Sequence, residues 1–147
     1  MAIFQEVPHC AMTNPFNRQG FDNMIGAYKT SGGTARVDDL ALLLEERNQG
    51  DFVSLVKRIA ARDVFSFEWQ SHYWVPMFQF DQTDMSVRQE VRRVVHELAG
   101  VLDNWTLAQW FTEPNAWLKG RRPVDMVDCQ FSEVLGAARS DRFVAAG

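Results

Sequence analysis

The hydrophobic period of this chain drops to two in a single stretch, and that departure constrains the fold more than any other feature. Between Val64 and Phe80 the apolar residues alternate. Phe65, Phe67 and Trp69 fall on one side of a first run, and Trp74, Pro76, Phe78 and Phe80 share a face of the second. Period two with aromatic enrichment predicts a pair of strands. Pro76 lacks the N–H a central strand needs, so it either confines the second strand to an edge or ends it early. Gln70-Ser71-His72 between the runs has none of the Asn-Gly or Asp-Gly chemistry of the tightest hairpins. Everything flanking this stretch that has a period has a helical one. The expected fold is therefore mainly α, a small helical bundle with one short β-hairpin at residues 64–80.

Upstream, Val37, Leu40, Ala41 and Leu44 recur at helical spacing. Asn48-Gln49-Gly50 breaks the pattern, and Asp51 is placed to cap a second helix whose apolar stripe is Phe52, Leu55, Val56, Ile59 and Ala60. Two short helices around a glycine-containing turn resemble a helix-turn-helix, and with the hairpin behind them they have the layout of a degenerate winged helix. Lys57, Arg58 and Arg62 then become the candidate DNA-binding residues. The same three cations are also what any solvated helix face carries.

Downstream, Ser86 to Gln89 reads as a capping box. It opens a long helix in which Val87, Val91, Val94, Leu98, Val101 and Trp105 recur, with Arg93 and Glu97 paired outside and Gly100 marking a close backbone approach. Short helices are expected at 106–111, at 115–118 and from Pro123, which suits a first helical position. Phe131, Val134, Leu135 and Ala138 mark the last helix. Residues 1–35 show no sustained period and many turn formers, and read as a flexible N-terminal arm with a short helix around 21–28.

With 147 residues, 46% hydrophobic and 23% charged, the composition is that of a globular domain. No window reaches the roughly 18 apolar residues of a membrane span. The start has no secretory pattern, and two distant cysteines, Cys10 and Cys129, make no disulfide framework, so a cytoplasmic location is expected. A net charge of −4 argues against a protein that coats nucleic acid.

Catalytic chemistry is hard to assemble from these residues. There is no dinucleotide or phosphate loop, no H-E-x-x-H and no C-x-x-C. His9-Cys10 is two ligands where a metal needs three or four. Asp125 and Asp128 lie three apart on a predicted helix, where ordinary surface carboxylates also sit. Neither an enzyme nor a cofactor or metal is expected.

Trp110-Phe-Thr-Glu-Pro-Asn-Ala-Trp-Leu-Lys-Gly-Arg-Arg-Pro-Val-Asp125, followed by Val134-Leu-Gly-Ala-Ala-Arg139, resembles the toxin-binding domain of the Xre/MbcA/ParS-type antitoxins. Their pattern has a tryptophan-phenylalanine pair, Pro-Asn, leucine-x-glycine, a proline two residues before an aspartate, and a final helix ending in alanines and arginine. Trp74-Val-Pro-Met-Phe-Gln-Phe80 is similar to the stretch preceding that domain, and the likeness covers residues 64–145. The resemblance implies a bacterial type II antitoxin that covers the active-site cleft of a RES-domain toxin, an enzyme that degrades NAD or transfers ADP-ribose. It also implies a homodimer, and often binding to operator DNA. This chain departs from the pattern in its residue 1–35 arm and in the acidic Glu45-Glu46 near the helix-turn-helix. The alternative is a stand-alone winged-helix transcription regulator whose C-terminal part only dimerises.

On this reading residues 36–82 are the helix-turn-helix-like region with its hairpin, and residues 83–147 the helical toxin-binding domain. Trp117 and Phe143 are the candidate apolar anchors, with core packing the other use for Trp117. Arg121, Arg122, Arg139 and Arg142 are placed to meet carboxylates of the toxin. Residues 139–147 are expected to be a surface tail that plugs the cleft.

Overall fold

The computed structural model describes residues 17–147, which form seven α-helices and one three-stranded antiparallel sheet. The first helix, α1 (Arg18–Ala27), lies inside the stretch expected to be a mobile arm. Asn17 caps it by accepting the Gly20 N–H, and Met24 and Tyr28 are buried. The Tyr28 hydroxyl donates to the Ala108 carbonyl at 2.6 Å. This helix has few apolar residues, so its order comes from docking two of them in the core rather than from its own period. His9-Cys10 lies outside the described residues.

Strand β1 (Thr34–Arg36) leads directly into α2 (Val37–Glu46). After a turn, α3 (Phe52–Ala60) follows, with the Asp51 side chain accepting from Ser54 N and the Ser54 hydroxyl accepting from Asp51 N. Gly50 sits at φ +124°, and a Cβ there would collide with the Ser54 hydroxyl, so this turn requires glycine. The hairpin is β2 (Phe67–Trp69) and β3 (His72–Pro76), with Trp69 opposite His72. Its two turn residues, Gln70 and Ser71, have φ of +50° and +68°, the conformation that Asn-Gly would supply with least strain. The sheet order is β1-β3-β2. The proline-bearing strand is therefore central, and Pro76 is tolerated because it ends the strand opposite Thr34. A three-residue β1 is too short to show alternation in sequence.

The long downstream helix is two helices. Arg88, not Ser86, is the N-cap of α4 (Gln89–Leu98). The Ser86 hydroxyl donates to Asp84 instead, so the capping box does not form. α4 stops at Leu98, and α5 (Asn104–Thr112) starts afresh because the Asp103 side chain accepts the Thr106 N–H. Gly100 lies between them, with nothing within 4 Å of where a Cβ would stand. Pro123 opens the one-turn α6 (Pro123–Met126), and α7 (Phe131–Ala146) closes the chain. α7 packs along α4, and Ala137 and Ala138 share the core with Val91, Val94, Val95 and Leu98.

Two apolar cores result. The larger joins α1, the hairpin, α4, α5 and α7 around Phe65, Phe67, Phe78, Trp105 and Phe111. Phe65 stacks on Phe111 with centroids 5.4 Å apart. The smaller joins α2, α3 and β3 around Leu40, Leu44, Leu55, Val75 and Phe80. Between them stands Gln79, fully buried. Its Oε1 accepts from Phe65 N at 2.9 Å, and its Nε2 donates to the carbonyls of Phe65 and Pro76, each at 3.0 Å. The glutamine of Trp74-x-Pro-x-Phe-Gln-Phe80 thus ties the strand entering the hairpin to the chain leaving it.

Candidate protein-interaction site

The Pro114-Asn115 segment builds a compact knot after α5. Asn115 accepts the Trp117 N–H on its side chain, and its backbone pairs with Arg121 in an isolated bridge. One 3₁₀ turn, Ala116–Leu118, buries Leu118 and leaves Trp117 57% exposed. Lys119 and Gly120, at φ +60° and +83°, turn the chain back. Trp117 is therefore a surface aromatic, not core.

Its orientation is set from α7. The Asp141 carboxylate accepts the Trp117 indole N–H on Oδ1 at 2.8 Å and the Trp110 indole N–H on Oδ2 at 2.7 Å. The Asn115 amide reaches Oδ2 at 3.4 Å. Charge-assisted bonds of this kind are roughly twice as strong as neutral ones. Asp141 was not among the sequence-derived candidates. Its partners are 24 to 31 residues away, and nothing local in the sequence marks it.

The four candidate arginines divide. Arg122 is a structural residue. It makes a two-point bond to Asp125, 2.9 Å each, and reaches the Ala27 carbonyl at 3.1 Å, joining α6 to the end of α1. That hydrogen bond and charge raise the Arg122 pKa and lower that of Asp125, both against the opposing cost of burial. The Tyr28 hydroxyl is pushed well up by burial, with Arg122 only partly opposing the shift. Asp128 pairs with Arg88, so Asp125 and Asp128 are each held by an arginine rather than by one another. Arg121 is exposed, donates to the Leu118 carbonyl and lies 3.9 Å from Glu133.

Arg139 and Arg142 both reach Glu97 on α4, at 3.6 and 2.8 Å. The expected Arg93–Glu97 pair does not form, and Arg93 lies over the Phe131 ring instead, 5.4 Å from its centroid. Residues 139–142 are thus tied to the scaffold through Glu97, Trp110 and Trp117. A free tail from 139 does not describe them, because the helix continues to Ala146. Beyond Arg142 the ties stop, leaving Phe143 80% and Val144 68% exposed on the last turn.

The three candidate DNA-binding cations do not share a face. α3 ends at Ala60, and Arg62, at φ +62°, turns back so that its guanidinium lies 3.5 Å from the Leu102 carbonyl, near Asp103. Arg58 is half-buried, and only Lys57 is fully at the surface. The outer side of α3 is apolar instead. Of its predicted core stripe only Leu55 is buried, while Phe52 and Val56 are 47% and 43% exposed; Val53, outside that stripe, is 58% exposed. With half-exposed Tyr73 at the hairpin tip, Phe52 and Val56 border a groove of about 420 Å³. Sequence reasoning assigned Phe52 and Val56 to the core because periodicity shows that a face is apolar, not what covers it.

Among the described residues no three His, Cys, Asp or Glu side chains converge as a metal site would require, and no helix is long and apolar enough to cross a membrane. Comparison of the chain with protein-family models, with curated proteins and with solved structures found no match.

Proposed function

We propose that this protein is a binding protein of the antitoxin type, which neutralises a RES-domain enzyme that degrades NAD or transfers ADP-ribose by covering its cleft. The observation that carries this reading is the last turn of α7. Phe143 and Val144 are uncovered immediately after a segment pinned by Arg139, Asp141 and Arg142. An apolar element held rigid on a scaffold is what an inhibitory plug requires, because little ordering entropy is left to lose on binding. Arg121, at the surface beside the same domain, is available to a carboxylate of the partner.

The test is a truncation. Deleting residues 139–147 would also remove the ties to Glu97, Trp110 and Trp117, so the informative deletion is 143–147. Interface anchors commonly contribute 2 kcal/mol or more each, so losing two weakens a nanomolar complex to about micromolar. The shortened protein keeps its fold by circular dichroism and loses protection against a RES-domain toxin that the full-length protein neutralises. Full protection by the folded, shortened protein overturns the plug.

The homodimer belongs to the same proposal, and the face of Phe52, Val53, Val56 and Tyr73 supports it, since monomers rarely expose contiguous apolar patches of this kind. Operator binding through Lys57, Arg58 and Arg62 has less support, because a reading helix needs several cations on one exposed face. The alternative of a stand-alone winged-helix regulator is weakened for the same reason.

A further inference from the structure

We propose that the cleft between the Pro114-Asn115 knot and the end of α7 is a recognition site for an arginine side chain of a partner protein. Trp110, Glu113, Pro114, Asn115, Trp117 and Asp141 line it, together with Ala116. Its volume of about 210 Å³ lies below the ~300 Å³ at which small-molecule sites begin, and suits a single inserted side chain.

The lining selects a cation. Two indoles and a proline supply flat apolar walls, two carboxylates supply negative charge, and no lysine or arginine lines the cleft. Trp117 has its N–H committed in the ring plane to Asp141, yet the residue is 57% exposed. The ring is locked and offers its surface, the negative part of its quadrupole, to a cation. Asp141 is not saturated. Oδ2 has two donors and Oδ1 one, whereas a carboxylate accepts about four hydrogen bonds. The Glu113 carboxylate is exposed, with no cation paired to it among the described residues. A guanidinium satisfies both demands at once, because its plane stacks on an indole while its edge donates to a carboxylate. The chain does not supply this group from its undescribed part, since residues 1–16 contain neither lysine nor arginine. The site goes beyond the antitoxin reading and holds whatever the partner is.

Titration of the ¹⁵N-labelled full-length protein with N-acetyl-L-arginine methylamide tests it without any partner. The indole N–H signals of Trp110 and Trp117, assigned from the corresponding Trp→Phe variants, shift saturably with a Kd on the order of 1–10 mM. The citrulline analogue, equal in shape but uncharged, leaves them in place. Glu113→Gln keeps the spectrum of the folded protein and weakens binding about fivefold, as loss of one exposed charge partner does. Absence of shifts, equal shifts with citrulline, or an unchanged Kd in Glu113→Gln overturns the proposal. The truncation at 143 leaves every lining residue present, so failure of one test does not entail failure of the other.

Discussion

Gln79 offers the sharpest test of how this fold is held. Its side chain makes three hydrogen bonds, all in a fully buried setting, to the N–H and carbonyl of Phe65 and the carbonyl of Pro76. Replacing it with alanine removes three interactions worth about 1 kcal/mol each net and strands three backbone groups that water reaches poorly. A cavity one amide and one methylene in size adds to the loss, while a water entering it recovers part. The expected cost is about 4 kcal/mol, in the range reached only when a buried polar network is broken. Gln79→Glu keeps the shape but aims a carboxylate at two carbonyl oxygens, so it matches or exceeds that cost at pH 7 and is partly relieved in acid, where the carboxyl regains a donor proton. The assay is urea unfolding followed by circular dichroism and tryptophan fluorescence, with an unchanged m-value showing that stability alone has moved. A Gln79→Ala cost under about 1 kcal/mol refutes the network as the link between the two cores.

Three further outcomes follow from particular contacts. Gln70→Asn with Ser71→Gly relaxes the two left-handed turn residues and stabilises the protein by about 1 kcal/mol in the same urea assay; destabilisation contradicts the turn geometry. Burial pushes the Asp63 carboxyl up, but hydrogen bonds and charge from Arg92 and His96 outweigh it, so its pKa is lowered overall. Its contribution is therefore present above the ordinary aspartate pKa of about 3.9 and is lost as pH falls through the folded value. Unfolding free energy measured from pH 6 down to 2 declines less steeply in Asp63→Asn; an identical slope removes Asp63 from the acid response. Val56→Glu places a charge on the exposed face of α3, leaving monomer stability within about 0.5 kcal/mol and abolishing the proposed homodimer by light scattering, and a dimer that persists in the variant moves the interface elsewhere.

Periodicity and local punctuation determined much of this protein without a structure. The aromatic alternation at 64–80 marked the hairpin, Val37 to Leu44 and Asp51 marked two helices and a cap, and Pro123 marked the start of another. Each of these signals is carried by residues within a turn or two of one another, so a linear reading captures them. The break after Leu98 was missed because the apolar spacing runs on through it, and the Asp103 cap that decides it is a single side-chain bond. The short helix expected around 21–28 is present as α1, starting earlier because Asn17 caps it, and what the sequence did not show is that Met24 and Tyr28 dock it in the core.

Only the tertiary structure decided which apolar and charged groups are available. Arg122 and Trp117 lie five residues apart in one motif. One is consumed by Asp125 and Ala27, and the other is left on the surface and locked by Asp141. Phe52 and Leu55 belong to one predicted stripe, yet only Leu55 is covered. Burial and pairing depend on partners distant along the chain, and the sequence around a residue carries no record of what folds against it.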